Sequence, residues 1–379
     1  MKKVTNNSRR RPVYESPTLG TRYDRNVPQQ PTGKNEVKSG VRKWTKRFLL
    51  ILLALIIVAA GVFAWNFYST ASRLTGNKNP FSLIGSLLPE PLKESSGRVN
   101  ILLAGYSVDD PNHGGAQLTD SIMIVSLNPK TKSAVLISVP RDLWVNIPGF
   151  GYNKINAAYE YGQSENFNEA GYFPGGMGLL EKLISQKFKI NFNYYALINY
   201  AAIKDAVNAV GGITLTINSP DPRGIYDPYT HLKLPNGVVH LNGQQALDLA
   251  RTRGDGPGSY GIPDADFTRT QYQQKELVAL KNKAAQIASL VDLVTILKLM
   301  NSVGNNVRTN LRIGQIETMY NDTKGISNNS IKQVTLNNFS GKDLLTNYYP
   351  NGLSALIPAQ GLDNYSLIQS SLHQLLYSH

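Results

Sequence analysis

One uncharged apolar segment constrains this chain more than any other feature of its sequence. Residues 48–65 read FLLILLALIIVAAGVFAW, and extension to Tyr68 gives 21 residues. As a helix these residues span about 31 Å, the thickness of the hydrocarbon core of a bilayer. Lys46 and Arg47 precede the segment, and Trp65 and Tyr68 lie at its other end. The sequence therefore predicts a transmembrane helix over residues 48–68, with residues 1–47 in the cytoplasm and the following chain outside the cell.

Two other interpretations of this segment fit less well. A cleaved signal peptide has a shorter basic region and a shorter apolar region than these, and no A-x-A cleavage site follows closely. A buried core helix would not explain a basic flank on one side and a polar stretch with Gly, Asn and Pro on the other. We therefore expect an uncleaved signal-anchor that crosses the cell membrane once.

The positive charge of the chain is concentrated before this segment. Residues 1–47 carry 13 basic and three acidic side chains, a net +10 of the total +13, so the remaining residues are close to neutral. This tail is rich in Pro, Asn, Gln and Thr and cannot pack a core, so we expect it to be disordered. Because the charge belongs to the tail, the sequence does not favour nucleic-acid binding. The absence of cysteine excludes disulfides and thiolate metal sites.

The chain after the anchor divides into a linker, residues 69–96, and one folded region, residues 97–379. Apolar runs at residues 99–105, 121–127 and 133–139 predict strands, and the last two form a hairpin around a turn at residues 128–131. Helical and strand patterns then alternate, which predicts one α/β domain. The further predicted strands are 194–198 and 213–217, and the predicted helices are 177–188, 201–210, 244–250, 269–285, 288–303, 315–320 and 366–376.

The predicted hairpin brings distant charged residues together. If residue 127 lies opposite residue 132, Asp120 comes within a residue or two of Arg141. If strand 99–105 runs parallel to strand 133–139, Asp109 and Asp110 follow its carboxyl end and lie at the same end of the sheet as Arg141. Ligands of α/β sheets bind at the carboxyl ends of the strands. Carboxylates suited to Mg²⁺ and a guanidinium suited to phosphate would then meet, which predicts a diphosphate site.

A second group of arginines follows downstream. Arg251 and Arg253 would point about 200° apart on a continuous helix. We therefore expect Arg253 to follow the helix end, where a Gly/Pro run begins, so that both side chains can turn to one ligand. Together with Arg141 and Arg269 they suit an anionic substrate. The alternative is that each arginine pairs with a nearby carboxylate, namely Asp142, Asp248, Asp255 or Asp266.

Six segments of the folded region form a recognisable set. They are ILLAG (101–105), LTDSIMIVSLNPKT (118–131), SVPRDLWVNIPGFGYNKINAAYEYG (138–162), VNAVGGI (207–213), LNGQQALDLARTR (241–253) and DFTRTQYQQ (266–274). Within core positions 99–274, about half of the chain, they resemble the LytR-CpsA-Psr family of cell-wall glycopolymer transferases. The PRD…IPG…KIN block with a later ALxxARxR is the most specific part. A single N-terminal anchor with the domain outside also resembles this family's topology.

The resemblance implies a three-layer α/β/α sandwich with a mixed central sheet and a long apolar pocket for a lipid tail. It implies transfer of a glycopolymer from a polyprenyl-pyrophosphate carrier to peptidoglycan at the lipid bilayer, with release of polyprenyl phosphate; pyrophosphatase activity is left open. The implied cofactor is Mg²⁺ (or Mn²⁺), near Asp120. By motif match the catalytic residues are Asp120, Arg141, Arg251 and Arg253, and the pyrophosphate-binding residues are Arg141, Lys154, Arg251, Arg253 and Arg269.

The sequence departs from the family pattern at four positions. An aspartate expected after ILLAG is Ser107, so Asp109 or Asp110 would supply a metal carboxylate at a shifted register. Further departures are Leu118 for arginine, Asn208 for aspartate and Tyr272 for arginine. The altered acidic set leaves an alternative function open, a non-catalytic cell-wall scaffold or regulator that binds polyprenyl lipid or glycan. The general base and the role of the residues after about 340 are also left open.

Overall fold

The computed structural model describes residues 89–106, 117–288, 306–337, 339 and 341–378. The predicted tail and transmembrane helix, residues 1–68, lie outside the described residues. The same holds for most of the linker, for Ser107, Asp109 and Asp110, and for the predicted helix 288–303 beyond its first residue. Within the described ranges, no helix combines the length and the apolar character that crossing a membrane requires.

Six strands form one mixed sheet. They are β1 (Val99–Tyr106), β2 (Thr119–Asn128), β3 (Ser133–Val139), β6 (Tyr194–Ile198), β11 (Val307–Thr309) and β12 (Ile331–Thr335), and their order across the sheet is β11-β6-β1-β2-β3-β12. Strand β2 is antiparallel to both β1 and β3, so β1 and β3 run in the same direction. Strands β6 and β12 are parallel to β1 and β3, respectively, and β11 is antiparallel to β6. The predicted mixed central sheet is confirmed.

The β2–β3 hairpin has a different register from the predicted one. Leu127 pairs with Ala134 rather than with residue 132, because the turn occupies the four residues 129–132. The Oδ1 atom of Asn128 accepts hydrogen bonds from the backbone N–H groups of residues 130 and 131, at 3.1 Å each, and so forms the side-chain-closed turn that Asn favours. Continued beyond the Ile122–Val139 pair, this register places residue 120 opposite residue 141 instead of residue 139.

Helices lie against both faces of the sheet. They are α1 (Ala158–Ser164), α2 (Gly176–Phe188), α3 (Tyr200–Ala209), α4 (Gly243–Arg251), α5 (Ala265–Ala288), α6 (Ile313–Lys324) and α7 (Ser366–Tyr377). Successive strand side chains point to opposite faces. On one face Leu102 and Ile122 pack with α2 and α7 in the main core. On the other face Leu103 and Met123 line a cavity with residues of α3 and α5.

The other eight strands of the described residues pair two by two outside the sheet. They are β4 (Trp144–Ile147) with β5 (Gly151–Lys154), β7 (Ile213–Ile217) with β10 (Gly237–Leu241), β8 (Ile225–Asp227) with β9 (Leu232–Leu234), and β13 (Leu345–Tyr348) with β14 (Ala355–Pro358). Strands β7 to β10 enclose a second apolar core together with residues of α3, α4 and α5.

The C-terminal part of the chain belongs to the main core. Ile368, Leu372 and Leu376 on α7 are buried there with α2. The guanidinium of Arg98, just before β1, donates a hydrogen bond to the carbonyl oxygen of Leu376 at 3.3 Å. Residues 341–378 are therefore not a separate appendage, which answers part of the question that the sequence left open.

Candidate functional site

The hairpin register brings Asp120 and Arg141 together at one end of the sheet. Strand β3 ends at Val139, and Pro140 cannot donate a ladder hydrogen bond, so Arg141 leaves the sheet beside the start of β2. Its Nη1 atom lies 2.7 Å from Asp120 Oδ1, and the two side chains are only 17% and 11% exposed. A charge-assisted bond of this length in a largely buried place fixes both side chains.

Asp266, in the first turn of α5, joins three arginines. Its carboxylate accepts hydrogen bonds from Arg141 Nε at 3.0 Å and Arg253 Nε at 2.9 Å, and it lies 3.2 Å from Arg269 Nη1. Burial by itself raises the pKa of Asp266, but the three guanidinium charges outweigh it and hold the pKa at about 2. One ionised carboxylate thus positions three cations.

This role of Asp266 is not evident from the sequence. The sequence suggests Asp266 only as the partner of a single arginine, which was the alternative to a shared anionic ligand. The structure combines the two interpretations, since the arginines converge and carboxylates also pair with them. The available signal was the position of Asp266 three residues before Arg269 in the DFTRT segment, one helical turn away.

Arg251 and Arg253 are separated by the end of α4, as predicted. Asn242 caps the start of the helix: its Oδ1 atom accepts a hydrogen bond from the backbone N–H of Gln245 at 2.9 Å, and Gln245 Oε1 accepts one from the backbone N–H of Asn242 at 3.1 Å. The helix ends at Arg251. Thr252 is extended, with φ −62° and ψ 124°. Arg253 therefore leaves the helix and reaches Asp266, while the guanidinium carbon of Arg251 lies 4.5 Å from the ring centre of Tyr200.

Arg269 is the most deeply buried of these cations. It is 5% exposed, and its Nη2 atom donates a hydrogen bond to the backbone carbonyl oxygen of Asp120 at 3.0 Å. Burial lowers the pKa of Arg269. Its Nε atom has no hydrogen-bond partner among the described atoms, so the group has spare capacity for an anionic oxygen.

Lys154 joins the cluster through a different carboxylate. It ends β5, where the hairpin pairing places it opposite Trp144. Its Nζ atom lies 2.5 Å from Asp142 Oδ1, and Asp142 Oδ2 lies 3.7 Å from Arg141 Nε. Lys154 is thus close to Arg141 but linked to it through Asp142.

A cavity of about 620 Å³ opens beside these charges. Asp120, Arg141, Arg251, Arg253 and Arg269 line it, and so do apolar residues of the sheet and of two helices: Leu103, Met123, Ile198, Ala202, Ile203, Ala206, Val207, Leu277 and Leu280. Along α5 the lining changes from Arg269 through Gln273 to Leu277 and Leu280, over about 16 Å of helix. The cavity therefore has a cationic end and an apolar end.

Gln273 on α5 links this helix to β2 and α4 at the point where the lining of the cavity changes from charged to apolar. Its Oε1 atom accepts a hydrogen bond from Ser121 Oγ on β2 at 2.8 Å, and its Nε2 atom donates one to the carbonyl oxygen of Ala250 on α4, also at 2.8 Å. Gln273 belongs to the DFTRTQYQQ segment, but the sequence alone does not indicate this role.

Comparison with known proteins decides the family. The model of the LytR_cpsA_psr family matches residues 64–361. The chain belongs to the LytR_cpsA_psr family. The resemblance inferred from the six sequence segments is confirmed.

Members of the LytR_cpsA_psr family resemble the chain over most of its length. "Polyisoprenyl-teichoic acid–peptidoglycan teichoic acid transferase TagU" of Oceanobacillus iheyensis is 29% identical over 295 residues, 76% of this chain and 83% of the relative. The crystal structure of B. subtilis TagV is 25% identical, has a TM-score of 0.55 and covers 75% of this chain and 98% of its own. The structure of YwtF (TagT) with bound octaprenyl pyrophosphate lipid is 21% identical, with a TM-score of 0.52 and coverages of 76% and 93%. The last similarity bears on the fold alone.

Three departures from the LytR_cpsA_psr pattern have structural contacts away from the cavity. Leu118 packs against the main core. Asn208 Oδ1 accepts a hydrogen bond from the backbone N–H of Gly243 at 2.8 Å, where α3 meets α4. Tyr272 is 3% exposed in the second core. None of the three belongs to the described lining of the cavity, so these departures leave the arginine cluster intact.

The described residues contain no group of three or more His, Cys, Asp or Glu side chains that could hold a metal ion. Mg²⁺ bound with phosphates commonly takes only one or two carboxylates, and phosphate oxygens and water complete its shell. Asp120 lines the cationic end of the cavity, so its carboxylate fits as one such ligand. The other two predicted ligands, Asp109 and Asp110, lie outside the described residues.

Glu276 lies in the apolar part of the same cavity and was missed by the sequence analysis. It is 7% exposed and adjoins Leu277 in the lining. Among the described atoms its Oε1 has no hydrogen-bond partner. Burial raises the pKa of Glu276 well above its usual value, because an unpaired carboxylate is poorly solvated there.

Proposed function

We propose that this chain transfers a glycopolymer from a polyprenyl-pyrophosphate carrier to peptidoglycan and releases polyprenyl phosphate. The observation that carries the proposal is one cavity whose apolar walls lead to four arginines. Apolar walls suit a polyprenyl chain, and guanidinium groups suit the oxygens of a diphosphate. The name of TagU, a teichoic acid transferase, and the octaprenyl pyrophosphate bound by YwtF support the same assignment.

The arginines have the central role in this proposal. Phosphoryl transfer depends mostly on positioning and on neutralisation of negative charge. Arg141, Arg253 and Arg269 are held by Asp266, so they are placed before the diphosphate arrives. Arg251, stacked on Tyr200, faces the same cavity. Lys154 adds a positive charge behind Asp142.

Asp120 is the residue that would hold Mg²⁺ (or Mn²⁺) at the cationic end. A divalent ion would add charge neutralisation to that of the arginines. The carboxylate of Asp120 also accepts a hydrogen bond from Arg141, so it would link the ion to the arginine that contacts the diphosphate. Asp109 or Asp110 would complete the protein ligands in this proposal.

Residues 48–68 would anchor the protein in the cell membrane as a single-pass helix. Residues 1–47 would lie in the cytoplasm and residues 97–379 outside, joined by the linker 69–96. The charge distribution supports this orientation, since 13 of the 39 basic residues lie before the apolar segment. A lipid-linked donor would then be presented in the same bilayer.

The test of this function uses the full-length protein in detergent with a synthetic polyprenyl-pyrophosphate disaccharide and soluble peptidoglycan strands. Release of polyprenyl phosphate is measured with and without Mg²⁺. We expect release by the wild type and loss of at least about 100-fold in Arg141→Ala. Arg312→Ala is the matched control, because Arg312 is 69% exposed and pairs only with Glu90 among the described residues. Wild-type turnover by Arg141→Ala would refute the assignment.

A second candidate function is favoured by one observation. The arginines already have carboxylate partners, so part of their charge is neutralised without a ligand. This partly neutralised cluster would suffice for a scaffold or regulator that binds polyprenyl lipid or glycan without turnover. Tight binding of the donor with no release, when acceptor and Mg²⁺ are supplied, would assign the protein to this class.

A further inference from the structure

A second cavity, of about 200 Å³, adjoins the arginine cluster. It shares Asp120, Arg141, Arg253 and Arg269 with the large cavity. Its other walls are different and mixed, with polar residues (Asp142, Asp264, Thr335, Asn347 and Ser354) beside apolar ones such as Val139, Phe267 and Leu356. Nothing in the proposed binding of the lipid donor uses these residues.

The sheet order places the two cavities on opposite sides of the shared residues. The large cavity takes its separate walls from β1, β6 and α3, whereas the small one takes them from the end of β3, from β12 and from the β13–β14 hairpin. In the order β11-β6-β1-β2-β3-β12, these strands lie on either side of β2, which carries Asp120. The charged cluster therefore lies between a large, mainly apolar cavity and a small cavity whose lining mixes polar and apolar residues.

The geometry of phosphoryl transfer fits two cavities on opposite sides of the arginine cluster. The attacking and leaving oxygens lie roughly in line, on opposite sides of the phosphorus. If the polyprenyl phosphate leaves into the large cavity, the attacking hydroxyl must enter from the other side. Arg269, which is 5% exposed, lines both cavities, and its Nε atom has no hydrogen-bond partner among the described atoms. Its guanidinium therefore lies where a phosphoryl oxygen between the two cavities would be bound.

We propose that the small cavity is the subsite for the acceptor, where one sugar unit of a cell-wall glycan presents its hydroxyl. This inference rests on the proposed function. The volume is below the ~300–1,000 Å³ of ordinary ligand pockets, so it fits one ring and leaves the rest of the strand in solvent. Asn347, Ser354 and Asp264 are exposed at its mouth and can exchange hydrogen bonds with sugar hydroxyls, and Leu356 offers an apolar surface.

The reaction in this subsite balances without any further reactant. The acceptor oxygen forms a bond to the phosphorus that carries the glycan, and the bond from that phosphorus to the oxygen of polyprenyl phosphate breaks. The leaving oxygen keeps the electron pair, and the hydroxyl proton passes to a carboxylate. That carboxylate comes from the lining of the small cavity, which contains Asp120, Asp142, Asp264 and Asp266.

The β13 strand offers a matched pair of variants for the test. Asn347 lines the cavity, and its neighbour Thr346 is also exposed but points to the other face of the hairpin. Asn347→Trp should fill the subsite, and Thr346→Trp should not. Both are made in the full-length protein, with Asn347→Ala as a milder variant, and thermal unfolding checks that each folds.

Three quantities are measured with the synthetic donor and soluble peptidoglycan strands: the KM for acceptor, the rate of donor hydrolysis by water and the Kd for donor. We expect Asn347→Trp to raise the acceptor KM at least tenfold and Asn347→Ala severalfold, while the Kd for donor stays within twofold in both variants. Thr346→Trp should change none of them. An unchanged acceptor KM in both Asn347 variants would overturn the subsite.

Failure of the proposed transferase function can be distinguished from failure of the acceptor subsite. If the wild type turns over no donor, the transferase assignment fails, and the subsite is then tested by calorimetric binding of the peptidoglycan strands alone. Binding to the wild type and to Thr346→Trp but not to Asn347→Trp supports the subsite. Equal binding to all three proteins, or binding to none, overturns it.

Discussion

Asp120 and Arg141 are 21 positions apart, and the register of β2 against β3 makes them neighbours with a 2.7 Å contact. The hairpin thus delivers one carboxylate and one guanidinium to the same end of the sheet. Because Asp266 then adds two further arginines, a local pairing of strands determines where the whole charged cluster forms.

Asp266→Asn should disorder the cluster. The neutral amide can still accept hydrogen bonds, but it leaves the buried Arg269 without its charge partner, which costs about 3–5 kcal/mol. We expect a lower urea midpoint of unfolding and a loss of donor turnover of at least about 100-fold. Asp221→Asn is the control, since the Asp221–Arg223 pair is more exposed and a solvent-screened pair contributes little to stability. Equal stability of the two variants would contradict the role of Asp266.

Glu181 should make stability depend on pH without involving the site. It is 4% exposed on α2, accepts a hydrogen bond from the backbone N–H of Phe173 at 2.7 Å, and burial raises its pKa to about 7. A carboxyl whose pKa is raised in the folded state contributes fully to the stability of the fold below its unfolded pKa. This contribution is lost as the pH rises towards the folded pKa of about 7.

The loss for Glu181 would amount to about 3 kcal/mol between about pH 4.5 and 7. The measurement is urea unfolding at pH 5 and pH 8 in the wild type and in Glu181→Gln, which keeps the acceptor oxygen. We expect the free energy of unfolding to differ less between pH 5 and pH 8 in Glu181→Gln than in the wild type. Parallel curves for the two proteins would show that Glu181 does not titrate in this range.

Glu276 should make lipid binding depend on pH in the proposed site. A polyprenyl tail displaces water from the cavity and so favours the neutral acid further. The affinity should therefore fall as the pH rises. Glu276→Leu should bind a polyprenyl pyrophosphate more tightly, by about tenfold, with little difference between pH 6 and pH 9. Glu276→Gln should also lose the pH dependence. A wild-type Kd that is equal at both pH values would reject this prediction.

The sequence predicted the buried elements well and the exposed ones poorly. Strands 133–139 and 194–198 have the predicted bounds because each is a mainly apolar run. Strand 213–217 also has them, as an alternating ITLTI pattern in which Thr214 and Thr216 are exposed. Strand β12, IKQVT, and the β4–β5 hairpin were missed, since short half-exposed strands form through pairing rather than through their own pattern. The hairpin register was wrong by two residues, because Asn128 closes a four-residue turn that strand patterns do not specify.

The arginines of the site could be named from the sequence, but their organisation could not. Arg141, Arg251, Arg253 and Arg269 belong to family motifs, and all four line one cavity. Asp266 was missed as a shared partner because its three arginines come from three separate segments. Glu276 was missed because a single Glu in a helix normally faces solvent, and only the packing of α5 against α3 and the sheet places it inside.

The apolar end of the cavity should discriminate between donors by tail length. Ala206 lines it from α3, and Ala209 on the same helix is exposed and does not. Ala206→Phe should narrow the chamber, so the KM for a donor with a long polyprenyl tail should rise at least tenfold, while a donor with a short tail that ends near the arginines should be little affected. Ala209→Phe should leave both donors unchanged, because its ring would enter solvent. An equal rise in KM for the two donors in Ala206→Phe would mean that the tail binds elsewhere or that the variant disturbs the arginine cluster. Thermal unfolding and the rate of hydrolysis of the short-tailed donor separate these two explanations.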